Sequence, residues 1–226
     1  MSGQHADPDA GPVADLIVIA KEPVPGRVKT RLTPAYTPAE AAVLAEAALR
    51  DTLTAVAAAP AGRRTLVLDG TPGPWLPAGF TVTAQRGGGL DERLAAAFTD
   101  AYHAYDGRPL VLIGMDTPQV TPALLTAAGR ALARHQAVFG PAADGGFWLL
   151  GLRRPDPALL RGVPMSRPGT GAAQLARLRA AGLRIAHLPR LTDVDTPADA
   201  AAVAAAAPSG RFAAAVRALG VRTVPA

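Results

Sequence analysis

Residues 16–20, Leu-Ile-Val-Ile-Ala, form an unbroken apolar run of strand length, and residues 110–113, Leu-Val-Leu-Ile, form another. Short runs rich in branched aliphatic side chains predict strands buried on both faces. Further strands are predicted at 64–69, at 80–84 (where apolar and polar positions alternate), and at 137–140, 147–152 and 185–188. Between them lie longer stretches rich in Ala and Leu. Thr37-Pro38-Ala39-Glu40 has the capping-box pattern, with Thr at N-cap, Pro at the first helical position and Glu at the third. It opens a helix that runs to about residue 59. Thr196-Pro197-Ala198-Asp199 repeats the pattern ahead of an Ala-rich helix broken by Pro208-Ser209-Gly210. Other helices are predicted at 90–105, from Thr121-Pro122 to about 135, at 171–181 and at 211–219. Strands alternating with helices predict an α/β fold with a mixed, mainly parallel sheet flanked by helices.

In such sheets ligands collect outside the carboxyl ends of the strands. The segments least suited to a core all follow strands there. They are 20–32 after the first strand, 85–89 after the third, 114–118 after the fourth, 143–146 after the fifth and 192–195 after the last.

Composition narrows the chemistry. The 226 residues suit one domain, read as residues 15–226 behind a polar, disordered tail at 1–14. That tail lacks the apolar core of a signal peptide, and no apolar run approaches the roughly 20 residues of a membrane span. A cytoplasmic protein with no membrane partner is expected. The absence of cysteine excludes a thiolate nucleophile or thiolate zinc site. The four histidines are scattered and none pairs with another at metal spacing. The net charge of +5 carries no basic stripe interleaved with aromatics, so nucleic acid is not the expected partner. A small polyanion is.

The basic residues themselves are uneven. There are 21 Arg and two Lys, and both lysines, Lys21 and Lys29, sit in the loop after the first strand with Arg27 and Arg31. An ammonium presents a compact charge to phosphate where a guanidinium presents a planar fork. Pro23, Pro25 and Gly26 keep this loop out of a helix. Lys21, Arg27, Lys29 and Arg31 are therefore candidate phosphate ligands, with Lys29 also placed in catalysis.

Asp116 ends an apolar strand and faces the rim. With Asp195 it makes a candidate pair of hard oxygen ligands for Mg²⁺ or Mn²⁺, Asp193 being the local competitor. Each aspartate precedes Thr-Pro, so each is also readable as a helix-entry residue. Gly87, Gly88 and Gly89 permit close approach of a base or ribose, which Gln85 can read, or form a plain flexible loop. Asp144-Gly145-Gly146 is readable as a tight reverse turn. Between parallel neighbours a hairpin turn is impossible, which makes this an acceptor-site loop with Asp144 as hydroxyl ligand or base.

The stretch Ala-Lys-Glu-Pro-Val-Pro-Gly-Arg-Val-Lys-Thr-Arg-Leu, then Gln-x-Gly, Gly-Met-Asp-Thr-Pro, Gly-Pro-Ala-x-Asp-Gly-Gly-Phe-Trp-Leu-Leu-Gly and Asp-Val-Asp-Thr-Pro, resembles a bacterial family of small GT-A-fold transferases. Its members are labelled glycosyltransferases and linked to arsenosugar-type pathways. The resemblance covers about residues 16–206. The family is similar in turn to nucleotidyltransferases such as 2-phospholactate guanylyltransferase. It implies a single nucleotide-diphospho-sugar transferase domain, a divalent metal at Asp116 and Asp195, and phosphates at Lys21, Arg27, Lys29 and Arg31. One segment departs from the pattern. Where the family shows Trp-Ser-Thr, this chain has Met165-Ser166-Arg167, exchanging an aromatic platform for a cation at the expected acceptor border.

These residues predict a metal-dependent transferase with a nucleotide donor and a small, acidic acceptor. Glycosyl transfer from a nucleotide sugar is the first reading, and nucleotidyl transfer with release of pyrophosphate the alternative. A non-catalytic nucleotide-binding protein is a third, which the pair of aspartates opposes.

Overall fold

The computed structural model describes residues 14–104, 107–220 and 222. Seven strands form one sheet: β1 (Asp15–Lys21), β2 (Arg64–Asp69), β3 (Thr81–Ala84), β4 (Leu110–Gly114), β5 (Ala137–Pro141), β6 (Phe147–Leu152) and β7 (Ile185–His187). Six helices pack around them: α1 (Pro38–Ala58), α2 (Leu90–Ala104), α3 (Pro122–Ala131), α4 (Thr170–Ala180), α5 (Pro197–Ala206) and α6 (Arg211–Leu219).

The strand order is β3-β2-β1-β4-β6-β5-β7. All pairings are parallel except those of β6, which runs against both β4 and β5. Successive β1 side chains point to opposite faces. Leu16, Val18 and Ala20 join a core with Leu49 and Leu53 of α1 and Leu125 of α3. Ile17 and Ile19 join another with Leu94 and Phe98 of α2 and Leu178 of α4. A strand buried on both faces needs the continuous apolar run seen in the sequence. A third cluster, around Tyr36, Leu44, Val203 and Phe212, seats α5 and α6 on α1.

The caps are as the sequence predicts. Thr37 and Glu40, and Thr196 and Asp199, complete reciprocal capping boxes. The segment 20–32 does contain one 3-10 turn, Thr30–Leu32, beyond the prolines. α3 stops at Ala131, short of residue 135. The tighter bonds from Ala133 N–H to Arg130 O and from Arg134 N–H to Ala131 O wind its end down.

Two expectations need correction. Ala14, placed in the expected tail, is buried in the first core, and its carbonyl accepts from Gly62 N–H. The rest of the expected tail, residues 1–13, lies outside the described residues. The segment 142–146 is also a hairpin turn. Because β6 alone reverses, β5 and β6 are antiparallel neighbours, and five residues suffice where a parallel pair needs a crossover. Ala142 N–H donates to Gly146 O at 3.1 Å, and Gly145 takes a φ of +88°. The turn still projects from the carboxyl edge, since β6 starts there.

Candidate active site

The carboxyl ends of β1, β4, β5 and β7 border a cleft of ≈ 890 Å³. Lys21, Arg27, Lys29, Arg31, Gln85, Gly88, Asp116, Asp144 and Asp195 all line it.

The basic loop is built by alternation. Val28 and Leu32 are buried and pin it to the domain, while Arg27 and Arg31, each just before one of them, are exposed. Lys29 sits in the left-handed region, with φ 50° and ψ 39°, which a non-glycine residue rarely adopts. Its side chain is only 9% exposed, and Nζ stands 2.8 Å from Asp116 Oδ1, in a contact of charges rather than an aligned hydrogen bond. Arg31 likewise pairs with Asp195 in a close contact. The partnership with Asp195 pushes the Arg31 guanidinium above its ordinary pKa, with a smaller push from the Asp144 charge. Lys21 and Arg27 have no ion-pair partner among the described residues.

The acidic wall comes from three interlaced segments. Val194 N–H donates to Asp116 O at 2.9 Å, Gln119 Nε2 donates to Thr192 O at 2.6 Å, and Ala143 N–H donates to Leu191 O at 2.8 Å. These bonds hold Asp116, Asp144, Asp193 and Asp195 at one end of the cleft. Neither Asp116 nor Asp195 caps a helix. α3 begins six residues after Asp116, at Pro122, and Asp199 completes the cap that Asp195 adjoins.

Asp193 is the most perturbed member. Burial pushes its carboxyl up to about 7, the Asp116, Asp144 and Asp195 charges push the same way, and Lys29 opposes them. Its Oδ1 is buried without a hydrogen-bond partner. Among the described residues no three acidic or histidine side chains stand close enough to hold an ion. The donor set nonetheless suits a hard cation. It is all carboxylate oxygen, Oδ1 of Asp193 and Oδ1 of Asp116 are buried without a hydrogen-bond partner, and burial with added repulsion from its neighbours raises the Asp193 pKa.

The glycine segment behaves differently from its expectation. Gln85 lines the cleft, but its amide is committed. Nε2 donates to Ala20 O at 2.7 Å and to Val67 O at 3.3 Å, and Oε1 accepts from Arg93 at 3.2 Å. It ties β1, β2 and α2 together rather than presenting an edge to a base. Gly87 lines a separate, smaller cavity beside Arg86, Glu92 and Arg161. Gly88 stays at the cleft with its N–H donated to Glu92 Oε2.

Sequence reasoning missed Arg93, which lines the cleft and also pairs with Asp69 at 3.2 Å. It sits in the first turn of α2, where the helix dipole disfavours a cation, and that mismatch was the available signal. It also missed how the turn 142–146 is braced. Gly171 N–H donates to Gly145 O at 2.8 Å. A Cβ on Gly145 would stand 1.9 Å from Pro168 O. Gly145→Ala is therefore expected to cost about 1–3 kcal/mol through the positive φ and the clash. In thermal unfolding this should lower the midpoint by roughly 2–4 °C for each kcal/mol in a domain of this size.

The mixed sheet, its single reversed strand and the cleft on its carboxyl edge define a nucleotide-diphospho-sugar transferase fold. A protein from Desulfovibrio desulfuricans G20, provisionally described as a nucleotide-diphospho-sugar transferase, superposes with a TM-score of 0.82 at 27% identity, covering 92% of this chain and 96% of that one. The chain belongs to the family described as "Uncharacterized protein conserved in bacteria (DUF2064)", which matches residues 42–167. That span holds Asp116 and Asp144 but neither the basic loop nor Asp195. Two more distant structures share the fold. CMP:2-keto-3-deoxy-manno-octonic acid synthetase complexed with CTP has a TM-score of 0.51 at 13% identity, covering 87% of this chain and 98% of that one. The 2-C-methyl-D-erythritol 4-phosphate cytidylyltransferase of Thermus thermophilus has a TM-score of 0.51 at 17% identity, covering 87% and 99%. No curated protein sequence matches significantly. No helix among the described residues is long and apolar enough to cross a membrane.

Proposed function

We propose that the protein is a transferase that takes a sugar from a nucleotide sugar and passes it to a hydroxyl of a small acceptor. One observation carries this reading: the cations of the β1 loop and the carboxylates after β4 and β7 interleave across a single cleft. Interleaved charge suits a ligand that is itself anionic and brings a cation with it. The described activity of the Desulfovibrio protein points the same way.

Lys21 and Arg27, free of ion pairs among the described residues, are the first phosphate contacts in this reading. Lys29 and Arg31 reach phosphate by exchanging a carboxylate partner for it. Asp116 and Asp195, with Asp193 beside them, would hold Mg²⁺ or Mn²⁺, whose charge offsets that of a departing diphosphate. Asp144 on the β5–β6 turn accepts the proton of the acceptor hydroxyl as the new glycosidic bond forms and the bond to the diphosphate breaks.

Nucleotidyl transfer is the second reading, favoured by the four cations within eleven residues of one loop. With Mg²⁺ present, a nucleoside diphosphate or nucleotide sugar is expected to bind at least as tightly as the matching triphosphate. The right nucleotide sugar should also hydrolyse slowly to free diphosphate without acceptor. Calorimetric titration across bases, alongside a pyrophosphate assay, checks both. Binding of triphosphates alone, with pyrophosphate released on adding a phosphorylated acceptor, would establish nucleotidyl transfer instead.

A further inference from the structure

The segment 164–170 borders the cleft and is held rigidly. Thr170 Oγ1 donates to Pro164 O at 2.8 Å and accepts from Arg167 N–H at 3.1 Å. Ser166 is locked in the left-handed region at φ 56°. Gly171 N–H and the contact between Gly145 and Pro168 fasten the segment to the turn that carries Asp144. The backbone of Arg167 is thus fixed, yet its guanidinium, exposed in the cleft, has no acceptor among the described residues. Three other cleft cations are satisfied, Lys29 by Asp116, Arg31 by Asp195 and Arg93 by Asp69.

The cleft that Arg167 lines also has apolar members. Met165 and Phe147, both half-buried, line the same cleft, and so does Leu90, which is 41% exposed at the start of α2. The bond from Gly162 N–H to Asp91 Oδ2 at 2.8 Å ties that helix start to the chain just before Met165. A guanidinium carried on a fixed backbone in a cleft with apolar lining suits an anion whose body is not itself charged. Lys21 ends β1 and Lys29 pairs with Asp116 after β4, whereas Arg31 reaches across to Asp195 and feels the Asp144 charge.

We infer that Arg167 is the specificity residue of an acceptor subsite, and that the acceptor is a small hydroxylated molecule with an apolar body and a carboxylate or phosphate gripped by Arg167. The name "acceptor" rests on the transferase reading above; the anion subsite itself does not. Bound this way, the anion sits on Arg167, the body lies against Met165 and Phe147, and the hydroxyl reaches toward Asp144 on the adjoining turn.

The test uses three matched probes, 6-hydroxyhexanoate, 6-hydroxyhexyl phosphate and 6-hydroxyhexanamide, titrated into the full chain by ligand-observed NMR. Wild type is expected to bind at least one anionic probe about tenfold or more tightly than the amide, as one charge-assisted contact provides. The preferred anion identifies the group. Arg167→Ala should erase the preference and Arg167→Lys should restore part of it. Arg179→Ala, an exposed arginine at the far end of α4, should leave it intact. Nucleoside diphosphate affinity in Arg167→Ala should stay within about twofold of wild type, because the donor phosphates are assigned to Lys21, Arg27, Lys29 and Arg31 and not to Arg167. Equal binding of all three probes by wild type, or an unchanged preference in Arg167→Ala, overturns the inference. A tenfold loss of nucleoside diphosphate affinity in that variant overturns it too, by assigning Arg167 to the donor. If wild type shows an Arg167-dependent anion preference but binds no nucleotide, the subsite stands and the transferase reading falls.

Discussion

Asp193→Asn is expected to stabilise the metal-free protein at pH 8 by up to about 4 kcal/mol and to leave it nearly unchanged at pH 4. The folded state raises the Asp193 carboxyl from 3.8 to about 7, chiefly by burial. An acid whose folded pKa lies above its unfolded one is harder to ionise in the folded state. Well below the unfolded pKa of 3.8 both states hold the proton and no penalty exists. Between pH 4 and 7 the unfolded state gives up its proton first, so stability falls as pH rises, and above 7 the penalty is complete. The amide removes the charge and keeps the shape, though its own unpaired atoms make the gain smaller than this bound. Urea unfolding of both proteins at pH 4 to 8 checks it, and a gap that does not widen with pH would refute it. Addition of Mg²⁺ with a nucleoside diphosphate should reverse the order. A bound cation relieves the repulsion among carboxylates, and a ligand that binds the native state stabilises it by mass action. Stability traded for a charged cluster is a familiar mark of a functional site.

The strands and helices were legible because each kind of pattern was locally complete. Residues 16–20 and 110–113 lie in mid-sheet strands and had to be continuously apolar, and Thr37 and Thr196 announce their helices through their own side-chain bonds. The reversal of β6 was not legible. Phe147–Leu152 has the same apolar character as a parallel strand, and strand direction depends on which neighbours it joins. The cleft was legible as a set of residues because every special segment followed a strand and so fell on one edge. What those residues touch was not. Gln85 looked like a polar group facing ligand, yet its partners are the carbonyls of Ala20 and Val67, 65 and 18 residues away in sequence. Arg31 and Asp195 are 164 residues apart, and no local pattern pairs them. Asp193 and Asp195 look alike in sequence, and only packing buries a carboxylate oxygen of the first and turns the second toward Arg31.

Lys29→Ala is expected to weaken nucleoside diphosphate binding by roughly ten- to a hundredfold, the equivalent of one charge-assisted contact of about 1.5–3 kcal/mol. The structure adds a second expectation with the opposite sign. Lys29 Nζ lies 2.8 Å from Asp116, so it competes with any divalent cation for that carboxylate when no phosphate is present. Its removal leaves Asp116 unpaired beside Asp193, and Mn²⁺ alone should then bind the variant more tightly than wild type. Asp116→Asn separates the two roles. It keeps the shape of the side chain but removes a hard anionic ligand, so Mn²⁺ binding and metal-dependent turnover should both fall, while Lys29 is released toward phosphate. Metal-free nucleoside diphosphate binding in Asp116→Asn should therefore match or exceed that of wild type. Calorimetry with Mn²⁺ alone, with diphosphate alone and with both distinguishes these outcomes. The assignment of Lys29 to the phosphates fails if Lys29→Ala binds diphosphate as wild type does. The assignment of Asp116 to the metal fails if Asp116→Asn binds Mn²⁺ unchanged. If both hold, the ion pairs seen in the cleft are the resting arrangement of a site in which phosphate draws the cations away and opens the carboxylates to a metal.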